Sequence, residues 1–255
     1  MDESRIILID KPAGISSFGV VAKVRSQLKA EFGHKVKVGH TGTLDPFATG
    51  LLILLSGKYT KKSNEFLKLD KVYEATMKLG YTSTTGDPEG EIRQYPKSIK
   101  FTEIEEHKDK ISDFVAEGAE QCDKISNLSH YEASEIGKFY TLSDIHSILI
   151  DFIGKIEQTP PKFSAIKING ERAYKLAREG KDFKIPSREV GIYSIEILKY
   201  AYPELKIRVH CSSGTYIRTL AEDIGKSLGT GAYLTALRRT NVSDYSVANA
   251  KQLVL

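Results

Sequence analysis

Gly39-His40-Thr41-Gly42-Thr43-Leu44-Asp45-Pro46-Phe47-Ala48-Thr49-Gly50 runs without interruption into Leu51-Leu52-Ile53-Leu54-Leu55. The first part reads as a loop dense in Gly, Thr and Pro, and the second as a buried strand. An Asp-Pro pair alone is an ordinary turn. Here the glycines permit close backbone approach to a ligand. The apolar run that follows would hold a loop carboxylate rigidly. Asp45 is either a plain turn residue or a loop carboxylate held in place for chemistry.

Upstream, Ile6-Ile7-Leu8-Ile9 reads as a buried strand, broken by the turn chemistry of Asp10-Lys11-Pro12-Ala13-Gly14. Ser16 or Ser17 can cap a helix with Val21, Val24 and Leu28 at helical spacing, followed by a basic loop holding Lys35 and Lys37. Downstream, Val72–Leu79 alternates, with Tyr73, Ala75, Met77 and Leu79 on one face. A short helix is expected around Ser143–Ile153, with Ser143 as its cap. Pro160-Pro161 resets the chain. Strands are expected at 163–168, 189–199 and 205–209, with a helix at Ala173–Arg178. Ile217, Leu220, Ala221, Ile224 and Leu228 then form an amphipathic helix beginning near Thr215 and closed by Gly229 and Gly231. Strands and helices mix without regular βαβ alternation, so the expected class is α+β with a mainly antiparallel sheet and flanking helices.

The 255 residues suffice for one large domain or two small ones, and 40% of them are hydrophobic, enough for a core. The longest apolar run is far short of the roughly 20 residues of a membrane span. The N-terminal residues fit neither a signal nor a transit peptide. Two cysteines exclude a disulfide framework, and six scattered histidines lack zinc-ligand spacing. The net charge of +4 is unevenly spread. Residues 101–135 hold ten acids against three lysines, which leaves the rest of the chain eleven charges positive. A basic body suits a polyanionic partner, although a solvated surface reads the same way. Residues 98–141 are acidic and helix-compatible, and read as an exposed insertion.

Other residues carry chemistry less plainly. Arg218 falls in the first turn of its helix, where a cation opposes the helix dipole. It is either a tolerated surface charge or the partner of a carboxylate or phosphate. Tyr216, in the same turn, could stack on a base or sugar. Tyr73 lies on the apolar face of its strand, as a core tyrosine or with its hydroxyl at a pocket. His40 could be polar surface or contact a base or phosphate.

The run Gly39–Leu52 resembles the signature of the TruB family of pseudouridine synthases. Asp10–Ser17, Lys71-Val72-Tyr73-Glu74, Thr159–Lys167, Cys211–Leu220 and Leu237-Arg238-Arg239-Thr240 resemble further family segments in the same order. The resemblance implies the pseudouridine synthase fold over a single catalytic domain, 1–255, with an RNA cleft across its sheet. It implies no cofactor and no metal. The implied substrate is the T-loop uridine at position 55 of tRNA, bound through the T-arm stem-loop, flipped into the pocket and isomerised. Asp45, Tyr73 and Arg218 would be catalytic. Arg218 would pair with Asp45, and Tyr73 would stack on the flipped base. His40, Tyr216, Lys11, Gly42 and Thr43 would contact substrate, with Lys11 and Pro12 supporting the pocket wall. The expected protein is a cytoplasmic monomer with no obligatory protein partner, no membrane association and no C-terminal RNA-binding domain of the PUA type. The insertion would lie away from the cleft. The alternatives are an RNA-guided synthase or one acting on another RNA, and a non-catalytic tRNA-binding or folding module.

Overall fold

Lys71–Leu79 alternates buried and half-buried residues along its whole length, and this strand stands near the middle of the main sheet. The structure is a computed structural model, and it describes residues 3–95, 140–168 and 170–253. The 98–141 insertion expected from charge falls almost wholly outside the described residues. Residues 1–95 and 142–255 belong to one compact unit.

In chain order the elements are β1 (Ile6–Lys11), α1 (Ser17–Phe32), β2 (Val38–His40), β3 (Thr49–Ser56), α2 (Ser63–Leu67), β4 (Lys71–Leu79), β5 (Tyr81–Ser83) and β6 (Ile92–Gln94). Next come α3 (Leu142–Ile150), β7 (Gly154–Gln158), β8 (Lys167–Ile168), β9 (Glu171–Arg172), α4 (Ala173–Arg178), β10 (Arg188–Ala201), β11 (Glu204–Cys211), α5 (Ile217–Ser227), β12 (Ala232–Val242), β13 (Tyr245–Ser246) and β14 (Lys251–Gln252). The main sheet runs β14-β1-β3-β12-β4-β11-β10-β7, with β2 beside β3 and β13 beside β12. Its pairings are antiparallel except β1–β14 and β12–β3. The α+β class is thus the observed one.

Two strands explain the central core. Leu51 to Leu55 on β3 are each at most 1% exposed. Leu51, Ile53 and Leu55 pack with Phe66 and Val242 on one face, while Leu52 and Leu54 point to the other. A strand covered on both faces needs no alternation, which is why this run is continuously apolar. On β11, Leu205, Ile207, Val209 and Cys211 are fully buried beside the apolar residues of β4. At about 1.5–3 kcal/mol for each large apolar side chain removed from water, these neighbours anchor the sheet that carries the site.

Register places the site. β12 lies between β3 and β4, pairing Arg239 with Gly50 on one side and with Tyr73 on the other. Only glycine fits position 50. Its φ is +102°, and a Cβ there would stand 2.2 Å from the Arg239 carbonyl oxygen. α5 buries Ile217, Leu220, Ala221, Ile224 and Leu228 and packs on β12, which sets its first turn against the site.

The helix at Ala173–Arg178 lies where it was expected. Ser16 caps α1, accepting from the Gly19 amide at 3.0 Å. Other boundaries move. β1 runs on through Asp10 and Lys11, both buried, whereas Ile6 at its outer end is 39% exposed. The Gly39–Gly50 loop is shorter, because His40 pairs with Leu54 and Thr49 already belongs to β3. Of the strand expected at 163–168 only Lys167–Ile168 forms, because the Ser164 and Ile166 carbonyls accept instead from the amides of Tyr174 and Ala173. α3 starts at Leu142 and ends at Ile150, where turn bonds from Asp151, Phe152 and Ile153 take over. α5 starts at Ile217 rather than near Thr215, whose amide and hydroxyl both turn back to the Ser212 carbonyl.

Candidate active site

Asp45 is carried by the Thr41–Ala48 loop, which four anchors hold. The Ser17 hydroxyl donates to the Leu44 carbonyl and accepts from the Leu44 amide, both at 2.8 Å. The Gly14 amide donates to the Pro46 carbonyl at 2.9 Å. The Ala48 amide closes a turn on the Asp45 carbonyl at 3.1 Å. Fully buried Lys11 donates from Nζ to the carbonyls of Pro12, Ile15 and Pro46 at 2.9, 2.7 and 3.1 Å. This ammonium cross-links the two loops that meet at the site. Burial lowers its pKa from 10.5 to about 8, and the Asp45 charge partly offsets that fall.

Arg218 reaches Asp45 from the first turn of α5. Its Nε stands 3.0 Å from Asp45 Oδ2 and its Nη2 donates to Oδ1 at 3.3 Å, a two-point fork. The Arg218 side chain is 5% exposed and that of Asp45 31%, so the acid is the member of the pair that faces solvent. Nη1 also donates to the Thr85 carbonyl at 3.0 Å, and Nη2 to the Phe163 carbonyl at 2.9 Å. A second carboxylate, Asp87 Oδ2, stands 3.4 Å from Nη1. Asp87 is itself oriented, since its Oδ1 accepts from the Thr85 hydroxyl at 2.5 Å and from the Glu89 amide at 3.0 Å. Five acceptor contacts thus determine where the guanidinium lies. Burial raises the Asp45 carboxyl above its ordinary value and Asp87 adds to the rise, while Arg218 and Lys11 oppose it.

Tyr73 and Arg239 form the other wall. Tyr73 is 8% exposed, and its hydroxyl lies near the Arg239 guanidinium. Burial raises the Tyr73 pKa, so the phenol stays protonated at neutral pH. Arg239 is 2% exposed and donates to the carbonyls of Leu51 at 2.8 Å and Gly42 at 3.1 Å. Gly42, at φ +153°, turns its backbone toward that guanidinium, and its amide donates to His40 Nδ1 at 3.4 Å. Burial, then Arg239, lowers the pKa of His40, which leaves a neutral imidazole at pH 7. Thr43 is exposed on the loop.

Asp45, Arg218, Lys11, Tyr73, His40 and Gly42 thus come together. Tyr216 is held otherwise. Its backbone amide and carbonyl bond the Gln158 side chain at 2.7 and 3.0 Å, and its ring lies under Arg188, 5.0 Å from centroid to guanidinium carbon. Arg239 stands out in the sequence only as part of the family-like segment Leu237–Thr240, and Asp87 does not stand out there. The signal for Asp87 was a second Asp-Pro pair in a Gly-containing loop, Gly86-Asp87-Pro88. A cavity of about 450 Å³, with Thr85, Thr159, Phe163 and Thr219 in its wall, adjoins the carbonyl partners of Arg218 but does not include Asp45. Among the described residues no His/Cys/Asp/Glu group could hold a metal ion, and no helix is long and apolar enough to cross a membrane.

The architecture is that of the pseudouridine synthases. A Cbf5 chain in a crystal structure of a Cbf5–Nop10–Gar1 complex superposes with a TM-score of 0.62 at 25% identity, over 98% of this chain and 52% of that one. The chain spans about half the length of that protein. Residues 28–134 and 120–217 match the family model described as TruB family pseudouridylate synthase (N terminal domain), and residues 218–254 match tRNA pseudouridylate synthase B C-terminal domain. The chain is 40% identical to the tRNA pseudouridine synthase B of Flavobacterium johnsoniae, over 99% of this chain and 94% of that protein. It is 41% identical to that of Phocaeicola vulgatus, over 95% of this chain and 87% of that protein. The chain belongs to the TruB family of pseudouridylate synthases. Its C-terminal match includes α5 and β12, the elements that bring Arg218 and Arg239 to the site.

Proposed function

We propose that this protein isomerises uridine to pseudouridine in tRNA, at the T-loop uridine of position 55, without a cofactor. The observation that carries the reading is the fork of buried Arg218 on the outward-facing carboxylate of Asp45, beside the Tyr73 hydroxyl and within the family signature. The base leaves its stack to enter the site. The bond from ribose C1′ to uracil N1 breaks, the ring turns, C1′ bonds to C5, C5 loses its proton and N1 gains one. Asp45 is the group that acts on the nucleoside. Arg218 orients it and favours its ionised form against the cost of burial. Tyr73 stacks on the base, and its protonated hydroxyl, near Arg239, is available to the turning ring. His40 and Gly42 shape the floor, Thr43 meets the RNA at the rim, and Lys11 holds the two loops together. Tyr216 faces RNA together with Arg188. The protein acts as a cytoplasmic monomer on bare tRNA.

The test is incubation of an unmodified tRNA transcript with the protein alone, with product mapped by nucleotide. Product at position 55, lost when that uridine is replaced by cytidine, is expected. Product only with an added guide RNA would transfer the reading to a guided synthase. Tight binding without product would leave a tRNA-binding module.

A further inference from the structure

The largest exposed apolar side chain beside the catalytic loop has no partner in the site described above. Phe18 is 66% exposed, more than any other large hydrophobic residue among those described. It occupies the second position of α1, directly after Ser17, whose hydroxyl clamps both backbone groups of Leu44 at 2.8 Å. Leu44 precedes Asp45. The aromatic ring is therefore tied through a buried hydroxyl to the loop that carries the reactive carboxylate. The core does not need it, because Ser17, Val20, Val21, Val24 and Leu28 already form the buried face of the helix.

The surroundings select the partner. The first turn of α1 has no acid. Further along, the helix carries Lys23, Arg25 and Lys29, and the loop after it Lys35 and Lys37. Its one acid, Glu31, is paired with Arg5 at 2.6 Å. An exposed aromatic ring at the head of a cationic helix matches the chemistry of unpaired RNA, in which bases stack on rings and phosphates meet cations. A protein partner would bury a wider apolar patch, whereas Phe18 is the one large exposed hydrophobic residue of this helix.

We infer that Phe18 is a stacking platform for an unpaired base of the substrate RNA next to the flipped uridine, holding the loop open at the cleft edge. The inference rests on the proposed activity on tRNA. The experiment measures binding of an unmodified T-arm stem-loop to the full chain in the Asp45→Asn background, together with product formation by Phe18 variants that retain Asp45. Phe18→Ala is expected to weaken binding about five- to a hundred-fold, the range for loss of one base–aromatic stack. Product formation should fall in parallel at sub-saturating RNA, and less at saturation. Phe18→Tyr and Phe18→Trp should keep affinity within about twofold, whereas Phe18→Leu should lose nearly as much as Ala, because leucine has no π-face. Such an exposed position should leave the unfolding midpoint unchanged. Wild-type affinity in Phe18→Ala would overturn the inference. So would full affinity in Phe18→Leu, which would indicate a general apolar contact. Either result with normal product from wild type refutes the platform alone, while absence of product from wild type refutes the activity on which it rests.

Discussion

Arg218→Met removes the guanidinium and nearly preserves volume. What remains is costly. Asp87, with its side chain 4% exposed, loses the cation 3.4 Å away. The carbonyls of Thr85 and Phe163 lose their donors. Removing one partner of a buried ion pair costs about 3–5 kcal/mol, chiefly because the surviving charge is left alone. Asp45 adds little, since its side chain is 31% exposed and water can replace part of the pair. The expected loss at pH 7 is therefore about 3–5 kcal/mol by urea unfolding, or roughly 6–20 °C in Tm for a chain of this size. Asp87→Asn added to Arg218→Met removes the orphan charge and should recover about 1–3 kcal/mol. A loss below about 1 kcal/mol at pH 7, or no recovery on adding Asp87→Asn, would refute this account of the cluster.

Gly50→Ala forces a Cβ to within 2.2 Å of the Arg239 carbonyl at φ +102°; overpacking and backbone strain should together cost about 2–5 kcal/mol, and denaturant unfolding with a smaller loss would mean that β3 and β12 part easily. Tyr73→Phe removes only the buried hydroxyl near Arg239, so the rate of product formation should fall at least tenfold while stability changes by about 1 kcal/mol; an unchanged single-turnover rate would remove the hydroxyl from the chemistry. Lys11, with its folded pKa near 8 against an ordinary 10.5, sheds its proton in the folded state first, so that stability rises with pH between these values. Measured against Lys11→Arg, which stays charged, wild type should gain about 2–3 kcal/mol over that window, and a flat difference would contradict it.

The sequence made the elements legible where burial is one-sided and local. The amphipathic spacing of Ile217 to Leu228 and the alternation of Tyr73 to Leu79 need no distant partner to be read. Asp45 was legible because its loop enters a continuously apolar strand. Arg239 was not, because arginine at a sequence position reads as surface. Its burial depends on the carbonyls of Leu51 and Gly42, nearly two hundred residues earlier. Asp87 was hidden for the same reason, as a turn residue whose cation arrives from α5. Tyr216 reads as a free aromatic until Gln158 and Arg188 converge on it from β7 and β10. β12 went unrecognised because Ala232–Val242 mixes apolar and cationic residues, and two register shifts against β4 break its alternation.

The most direct test is pseudouridine formation in an unmodified tRNA transcript by wild type and by Asp45→Asn, with RNA binding measured on both. Asparagine keeps the shape of the side chain and removes the charge forked by Arg218. Product at the T-loop uridine with wild type, and none with a variant that still binds, is the predicted result. Product at an undiminished rate from Asp45→Asn would contradict the role given to Asp45, and absence of product from folded wild type bound to its tRNA would contradict the activity itself.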